Sequence, residues 1–230
     1  MALKVVGQSV ERLDAKAKAT GEAKFTVDLA LPGMVYAKYL RCPHAHARIL
    51  SIDTSEAEKL PGIAAVVTHL DIVGKKLHND VYDECVRYLG EAVAGIAAVD
   101  EDTAEEALEK IRIEYELLPE VLDIDEALKE EAYPVWRGGN VCTWRGAQPV
   151  TDGSSLTWEK GETEKALNEA DVVASCVVDT HAQFHGCLEP HACVASWDPG
   201  MEVMTMHISS QGIFDDQENI ANALGLNLDQ

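Results

Sequence analysis

Between positions 185 and 193 every second residue carries a side chain able to bind a metal: His185, Cys187, Glu189, His191 and Cys193. On a β-strand, alternate residues face one side about 6.8 Å apart. Imidazole, thiolate and carboxylate are all zinc ligands. Against that reading, Pro190 interrupts a regular strand, and no recognised zinc spacing is present. Thiols and neutral imidazoles are also ordinary interior residues. A small zinc protein using His185, Glu189 and His191 stands as one alternative. His44 and His46 raise the same question, but no third ligand lies nearby in sequence. A packed pair that hydrogen-bonds the backbone is the expected arrangement.

The run Ser209-Ser-Gln-Gly212 lies where an expected strand hands over to an expected helix. Such loops present free amides and polar side chains toward a cleft, which suits contact with a cofactor. Gln211 offers both a donor and an acceptor, and Gly212 lets a ligand approach the backbone closely. Asp215 and Asp216 already compensate the dipole of the helix that follows, which argues against a phosphate there. No G-x-G-x-x-G, G-x-x-x-x-G-K-[ST] or G-x-S-x-G is present. Dinucleotide binding, nucleotide hydrolysis and α/β-hydrolase chemistry are therefore not supported.

The elements that must position these residues follow from periodicity and turn chemistry. Residues 1–18 read as an extended lead-in. Strands are expected at 24–27, 34–41, 48–53 and 63–68, with a short helix at 55–60 stopped by Pro61-Gly62. The apolar run 92–99 reads as a buried strand. Thr103-x-x-Glu106 has the form of a capping box for a helix reaching Ile111, and 112–116 alternates as the next strand. Strand, helix and strand in about 25 residues mark an α/β or α+β unit. A hairpin is expected about Asp198-Pro-Gly200, with a helix from 215 to 224 stopped by Gly225. A helix at 163–170 and a strand at 172–180 precede it. Pro134, Gly138-Gly139, Gly146, Pro149 and Thr151-Asp-Gly-Ser-Ser155 mark a linker between two units.

Forty acidic against nineteen basic residues give a net charge of −21, which repels phosphate backbones and anionic lipid. No nucleic acid or membrane partner is expected. The longest apolar run has eight residues, against the ~20 a membrane helix needs, and the start lacks the apolar core of a signal peptide. The expected location is the cytoplasm. Cys42, Cys85, Cys142, Cys176, Cys187 and Cys193 form no C-x-x-C pair. They read as reduced, mostly buried thiols.

Several segments, in order, resemble the molybdopterin-binding subunit of the xanthine dehydrogenase/aldehyde oxidase family. They are Arg12-Leu-Asp-Ala-Lys-Ala-Lys-Ala-Thr-Gly-Glu-Ala-Lys-Phe-Thr-Val-Asp28, Leu31-Pro-Gly-Met34 and Arg41-Cys-Pro-His-Ala-His-Ala-Arg-Ile-Leu-Ser-Ile-Asp53. Leu60-Pro-Gly62, Val86-Arg-Tyr-Leu-Gly-Glu-Ala-Val-Ala94 and Tyr115-Glu-Leu-Leu-Pro119 follow, then residues 161–171, Leu188-Glu-Pro-His191 and Ser210-Gln-Gly212. The resemblance implies an α+β chain. Residues 1–18 would lead into a small hammerhead α/β domain at 19–125. A linker at 126–157 would join it to the beginning of a molybdopterin-binding domain at 158–230.

It further implies molybdenum held by the dithiolene of a pterin, and hydroxylation of an N-heterocycle or aldehyde with oxygen derived from water. Iron–sulfur clusters and FAD would sit on partner subunits, and the remainder of the molybdenum subunit would be a partner as well. By position, Gln211 corresponds to the family's glutamine that hydrogen-bonds an oxygen ligand of molybdenum, with Gly212 beside it. Ile213 stands where the family often has proline, and Asp215-Asp216 where it has basic residues. The family's glycine-rich loop and catalytic glutamate correspond to positions downstream. No catalytic residue is therefore assigned, and the chain alone is expected to be inactive. A non-catalytic docking module is the remaining alternative.

Overall fold

Alternating alanine and lysine favour helix near the amino end, and a computed structural model places helix α1 at Ala15–Thr20, closed by left-handed Gly21. The structure describes residues 6–71, 82–136, 139–143, 146–149 and 160–230. The extended lead-in expected at 1–18 is thus helical from Ala15. The strand expected at 24–27 is instead a single 3-10 turn, Thr26–Asp28, because the Asp28 carboxylate accepts from the Phe25 amide at 3.0 Å and closes the chain on itself. Most of the expected linker, including Thr151-Asp-Gly-Ser-Ser155, lies outside the described residues.

The described chain divides into two units. One comprises Met34–Gln183 with Asn222–Gly225. Its elements are β1 (Tyr36–Arg41), β2 (Ala47–Asp53), α2 (Ser55–Glu58), β3 (Ile63–Thr68), β4 (Cys85–Val86), β5 (Ala92–Ala98), α3 (Glu101–Leu108), β6 (Arg112–Leu117), α4 (Ile124–Ala127), β7 (Cys142–Thr143), β8 (Gly146–Pro149) and α5 (Thr163–Glu169). In one sheet β5 lies between β1 and β3; in a second, β2 lies between β4 and β6. Every pairing is antiparallel, and β7 and β8 form a further antiparallel pair.

The alternation of β5 assigns its two faces to two cores. Ala94, Ile96 and Ala98 join Ala57, Ala104, Ala107 and Ile111 in one. Val93 joins Cys42, Ala47, Ile49 and Val86 in the other. Alanines on α3 allow close approach to the sheet, and Ile96 and Ile111 are the large side chains buried with them. Lys38 pairs with Ile96 across the strands, and its Nζ reaches Glu101 at 2.6 Å and Glu105 at 3.1 Å on α3. These carboxylates raise the lysine above its ordinary value, by hydrogen bonding first. The N-cap of α3 is Asp100, whose carboxylate accepts from the Thr103 amide at 2.8 Å. The capping box expected at Thr103 is therefore one turn too late. A carboxylate three residues earlier outcompetes the threonine for the first free amides.

Gly62 turns the chain into β3 with φ +95°, and its carbonyl accepts from Val99 N at 2.9 Å. A Cβ there would stand 2.8 Å from Val99 Cγ2. Gly62→Ala is expected to destabilise the chain by about 1–3 kcal/mol. A urea titration followed by far-UV circular dichroism measures this, and an unchanged midpoint would contradict it.

The second unit comprises the described part of Met1–Gly33 together with Phe184–Ala221 and Leu226–Gln230. Its hairpin pairs β9 (Cys193–Asp198) with β10 (Val203–Ile208). Asp198 Oδ1 accepts from the amides of Gly200 and Met201 at 2.8 and 3.1 Å, so the aspartate closes the turn. Helix α6 (Ile213–Leu224) follows, and Gly225 with φ +71° ends it.

One expected strand is not formed. Residues 172–180 join no ladder and no helix. A strand exists through its partner's hydrogen bonds, and none of the described residues supplies them.

Candidate functional site

The turn between β10 and α6 carries Ser209, Ser210, Gln211 and Gly212. Ser210 Oγ accepts from the Gly212 amide at 2.9 Å and donates to the Asp216 carboxylate. That clasp occupies the first free amide of the helix and sets a negative charge over it. Ser209 Oγ donates to Glu189 Oε1 at 3.0 Å. Gln211 is exposed and makes no hydrogen bond among the described residues. Its uncharged amide is the unclaimed donor and acceptor of the turn. Gly212 has no left-handed φ, and an added Cβ would meet only Asp215, with Oδ2 at 3.4 Å. Contact at that distance is ordinary, so packing within the chain does not demand glycine here.

A pterin-chelated metal fits this donor set through the neutral amide of Gln211 and the backbone at Gly212. It does not fit through a phosphate on the start of α6, because Asp215 and Asp216 occupy the first turn.

The metal-binding row from 185 to 193 is not assembled. Gly186 takes φ +58°, Pro190 has no amide to donate, and the strand begins only at Cys193. Successive odd residues therefore do not share one strand face. His185, Cys187, Glu189 and His191 are exposed. Among the described residues, no group of three His, Cys, Asp or Glu side chains could hold a metal ion. The zinc reading built on His185, Glu189 and His191 loses its geometry.

His44 and His46 pack as a pair in contact with the chain itself. His46 is buried, 4% exposed, with Nδ1 2.6 Å from Pro119 O. A carbonyl can only accept, so Nδ1 carries the proton and Nε2 faces Cys85 Sγ at 3.8 Å as the acceptor. The His44 ring meets Tyr115 edge-on at 5.1 Å. Burial, followed by the neighbouring Cys42, pushes the Tyr115 hydroxyl above its ordinary value.

The thiols divide along the sequence. Cys42 is buried and Cys85 half-buried, while Cys176, Cys187 and Cys193 are exposed. The expectation of mostly buried thiols fails in the second half of the sequence, where few side chains are covered. Burial pushes the Cys85 thiol up, and alkylation requires the thiolate. Iodoacetamide at pH 8 is therefore expected to label Cys176 and Cys187 well before Cys85 or Cys42, read by mass spectrometry. Equal labelling of Cys85 would mean that His46 holds it as a thiolate.

Sequence reasoning missed one cluster. The Arg87 guanidinium is 3% exposed and donates to Asp83 and, at 3.1 Å, to Glu91 Oε1. The Arg87 amide donates to Glu91 Oε2 at 2.6 Å, and the guanidinium lies 4.3 Å from the centre of the Trp136 ring. Carboxylates four residues to either side of an arginine were the available signal. Spacing of four suggests a helix surface, yet here Asp83 precedes the short strand β4 while Arg87 and Glu91 follow it.

Residues 20–119 match the family model described as the aldehyde oxidase and xanthine dehydrogenase a/b hammerhead domain, and residues 147–230 match that of the molybdopterin cofactor-binding domain. The chain is 36% identical over 192 residues to a probable xanthine dehydrogenase subunit of Bacillus subtilis, covering 80% of this chain and 24% of that protein. It is 31% identical over 230 residues to the nicotinate dehydrogenase large molybdopterin subunit of Eubacterium barkeri, covering 96% of this chain and 51% of that one. The solved CO dehydrogenase from Oligotropha carboxidovorans superposes with a TM-score of 0.82 at 28% identity, covering 96% of this chain and 29% of that chain. The chain thus spans between about a quarter and about half the length of these relatives.

Proposed function

This chain belongs to the aldehyde oxidase and xanthine dehydrogenase family, and on that premise we propose that it is the amino-terminal part of a molybdopterin-binding subunit. The assembled enzyme is an oxidoreductase that hydroxylates an N-heterocycle or aldehyde with oxygen derived from water. The observation that carries this reading is the succession of a hammerhead match and a cofactor-domain match in one chain. Names of relatives include xanthine and nicotinate, both N-heterocycles, which supports a heterocyclic substrate.

Gln211 offers its amide to the molybdenum–pterin group, with Gly212 beside it. When bound, that group supplies the two-electron oxidation of the substrate carbon. The neutral amide orients the group without contributing charge or competing for the metal. No catalytic residue is assigned to this chain, which works in the cytoplasm with the remainder of the molybdenum subunit and with iron–sulfur and FAD subunits. The hammerhead is assigned to 19–125 after a lead-in at 1–18, the linker to 126–157 and the start of the cofactor domain to 158–230. Among the described residues, no helix is long and apolar enough to cross a membrane.

In the assembled enzyme, Gln211→Ala is expected to lower turnover of xanthine or nicotinate about 10–100-fold, the scale of losing an outer contact to a metal group. Product formed in ¹⁸O-labelled water should carry the label, and the chain alone should show no turnover. Unlabelled product, or turnover by the chain alone, would overturn the reading.

A further inference from the structure

Arg48 on β2 and Cys85 on β4 are cross-strand partners, so their side chains leave the sheet on one face. His46 lies two residues before Arg48, and its Nε2 stands 3.8 Å from Cys85 Sγ. The histidine is held from behind: its carbonyl accepts from the Leu118 amide at 3.0 Å, and Nδ1 donates to Pro119 O at 2.6 Å. Tyr133 closes edge-on against the ring at 5.3 Å. The imidazole is thus fixed in one tautomer with its Nε2 lone pair turned to a sulfur. A histidine that ligates a metal usually donates its other ring N–H to a carbonyl or carboxylate in this way. His46 is 4% exposed and Cys85 half-buried, so the ring is enclosed while the sulfur can be reached. Cys42, the other thiol of this region, accepts from the His44 amide at 3.4 Å and meets no imidazole nitrogen among the described residues.

Donor count and charge decide what the pair can hold. Among the described residues no third His, Cys, Asp or Glu side chain joins it, which excludes the four-ligand shell that zinc takes. Thiolate sulfur and imidazole nitrogen both suit copper(I), a monovalent ion that two donors satisfy. Bonds of ~2.3 Å to sulfur and ~2.0 Å to nitrogen, the lengths zinc has, sum to about 4.3 Å, so the half-buried thiol need swing by only about 0.5 Å. Binding exchanges one ion for one proton. The Cys85 S–H bond breaks, its proton leaves to water, and bonds from sulfur and Nε2 to the ion form with no change of oxidation state. The pair stays neutral overall. A divalent ion would leave one positive charge unmatched, because Asp83 and Glu91 already compensate Arg87, and Glu116 pairs with Arg48. We propose that Cys85 and His46 form a two-coordinate site for a soft monovalent cation, copper(I) being the best fit. The site uses residues to which the functional reading gives no role, and it stands or falls independently of that reading.

The test uses the full chain carrying Cys142→Ser, Cys176→Ser, Cys187→Ser and Cys193→Ser, which leaves Cys42 and Cys85 as its thiols. Copper(I) is titrated without oxygen against a competing chelator. One equivalent should bind and raise the melting temperature, as any ligand of the folded state does. X-ray absorption should show one sulfur and one nitrogen on the metal. Burial pushes the Cys85 thiol up, so a proton must leave for each ion bound, and affinity should rise about tenfold per pH unit between about pH 6 and 8. Adding Cys85→Ser should weaken binding by more than about 100-fold, beyond the loss of an outer contact, with the far-UV circular dichroism unchanged. Adding Cys42→Ser instead should leave the affinity as it was. No binding, a shell of two sulfurs, binding that survives Cys85→Ser, or equal affinity for zinc would each overturn the inference.

Discussion

Replacing Arg87 with methionine is expected to cost the chain about 3–5 kcal/mol of folding stability. The side chains of Asp83 and Glu91 are 8% and 12% exposed. Both carboxylates are paired with the guanidinium, which compensates part of what each loses on leaving water. Methionine fills most of the arginine stem but supplies no charge, so each carboxylate loses its ion pair to the guanidinium. The penalty comes from those anions, not from the lost attraction alone. Adding Asp83→Asn and Glu91→Gln to Arg87→Met should therefore recover a large part of the loss. Urea titrations of the wild type, the single variant and the triple variant measure both effects. A single variant within about 1 kcal/mol of wild type would show that the carboxylates find water or protons instead.

Ile96→Ala should cost about 3–5 kcal/mol, in the upper part of the range for large-to-small substitutions. Ile96 is 1% exposed and stands among Ala57, Ala94, Ala98, Ala104, Ala107 and Ile111, with half-buried Leu40, Ile63 and Val66 against that cluster. Alanines have no side chain with which to fill the space that the deletion leaves. The backbone of β5 is held by β1 on one side and β3 on the other, so collapse of the cavity is resisted. The loss should appear in the midpoint of the same titration with the slope unchanged. A loss under about 1.5 kcal/mol would mean that α3 settles onto the sheet and closes the void.

The hammerhead region was legible because its signals are local. The β-branched run at 63–68, the small apolar run at 92–98 and the alternation at 112–117 each carry their own periodicity, and each forms a strand. The cap of α3 was misplaced by three residues because two acceptors competed for the same amides, and Asp100 lies nearer the start. The segment 172–180 reads as a strand for the same reasons as 63–68, yet pairs with no strand among the described residues. Periodicity states what a segment can do, while its partner decides whether it does so.

The candidate site was legible only through resemblance. Nothing in Ser209-Ser-Gln-Gly212 itself separates a cofactor turn from an ordinary helix entry. The structure adds that Ser210 and Asp216 close the turn on themselves and leave Gln211 unclaimed among the described residues. The row of metal ligands at 185–193 was a false signal, since alternate spacing matters only on a continuous strand. The Arg87 cluster was hidden for the opposite reason: its residues lie in irregular chain on either side of the two-residue strand β4, where spacing carries no fixed geometry.

Elemental and pterin analysis of purified protein tests the central claim most directly. The chain alone should hold neither molybdenum nor zinc after dialysis against a chelator. Its complex with the rest of the subunit should hold molybdenum and pterin near one to one, and Gln211→Ala should reduce that retention. Stoichiometric zinc in the isolated chain, or a complete complex free of molybdenum and pterin, would contradict it.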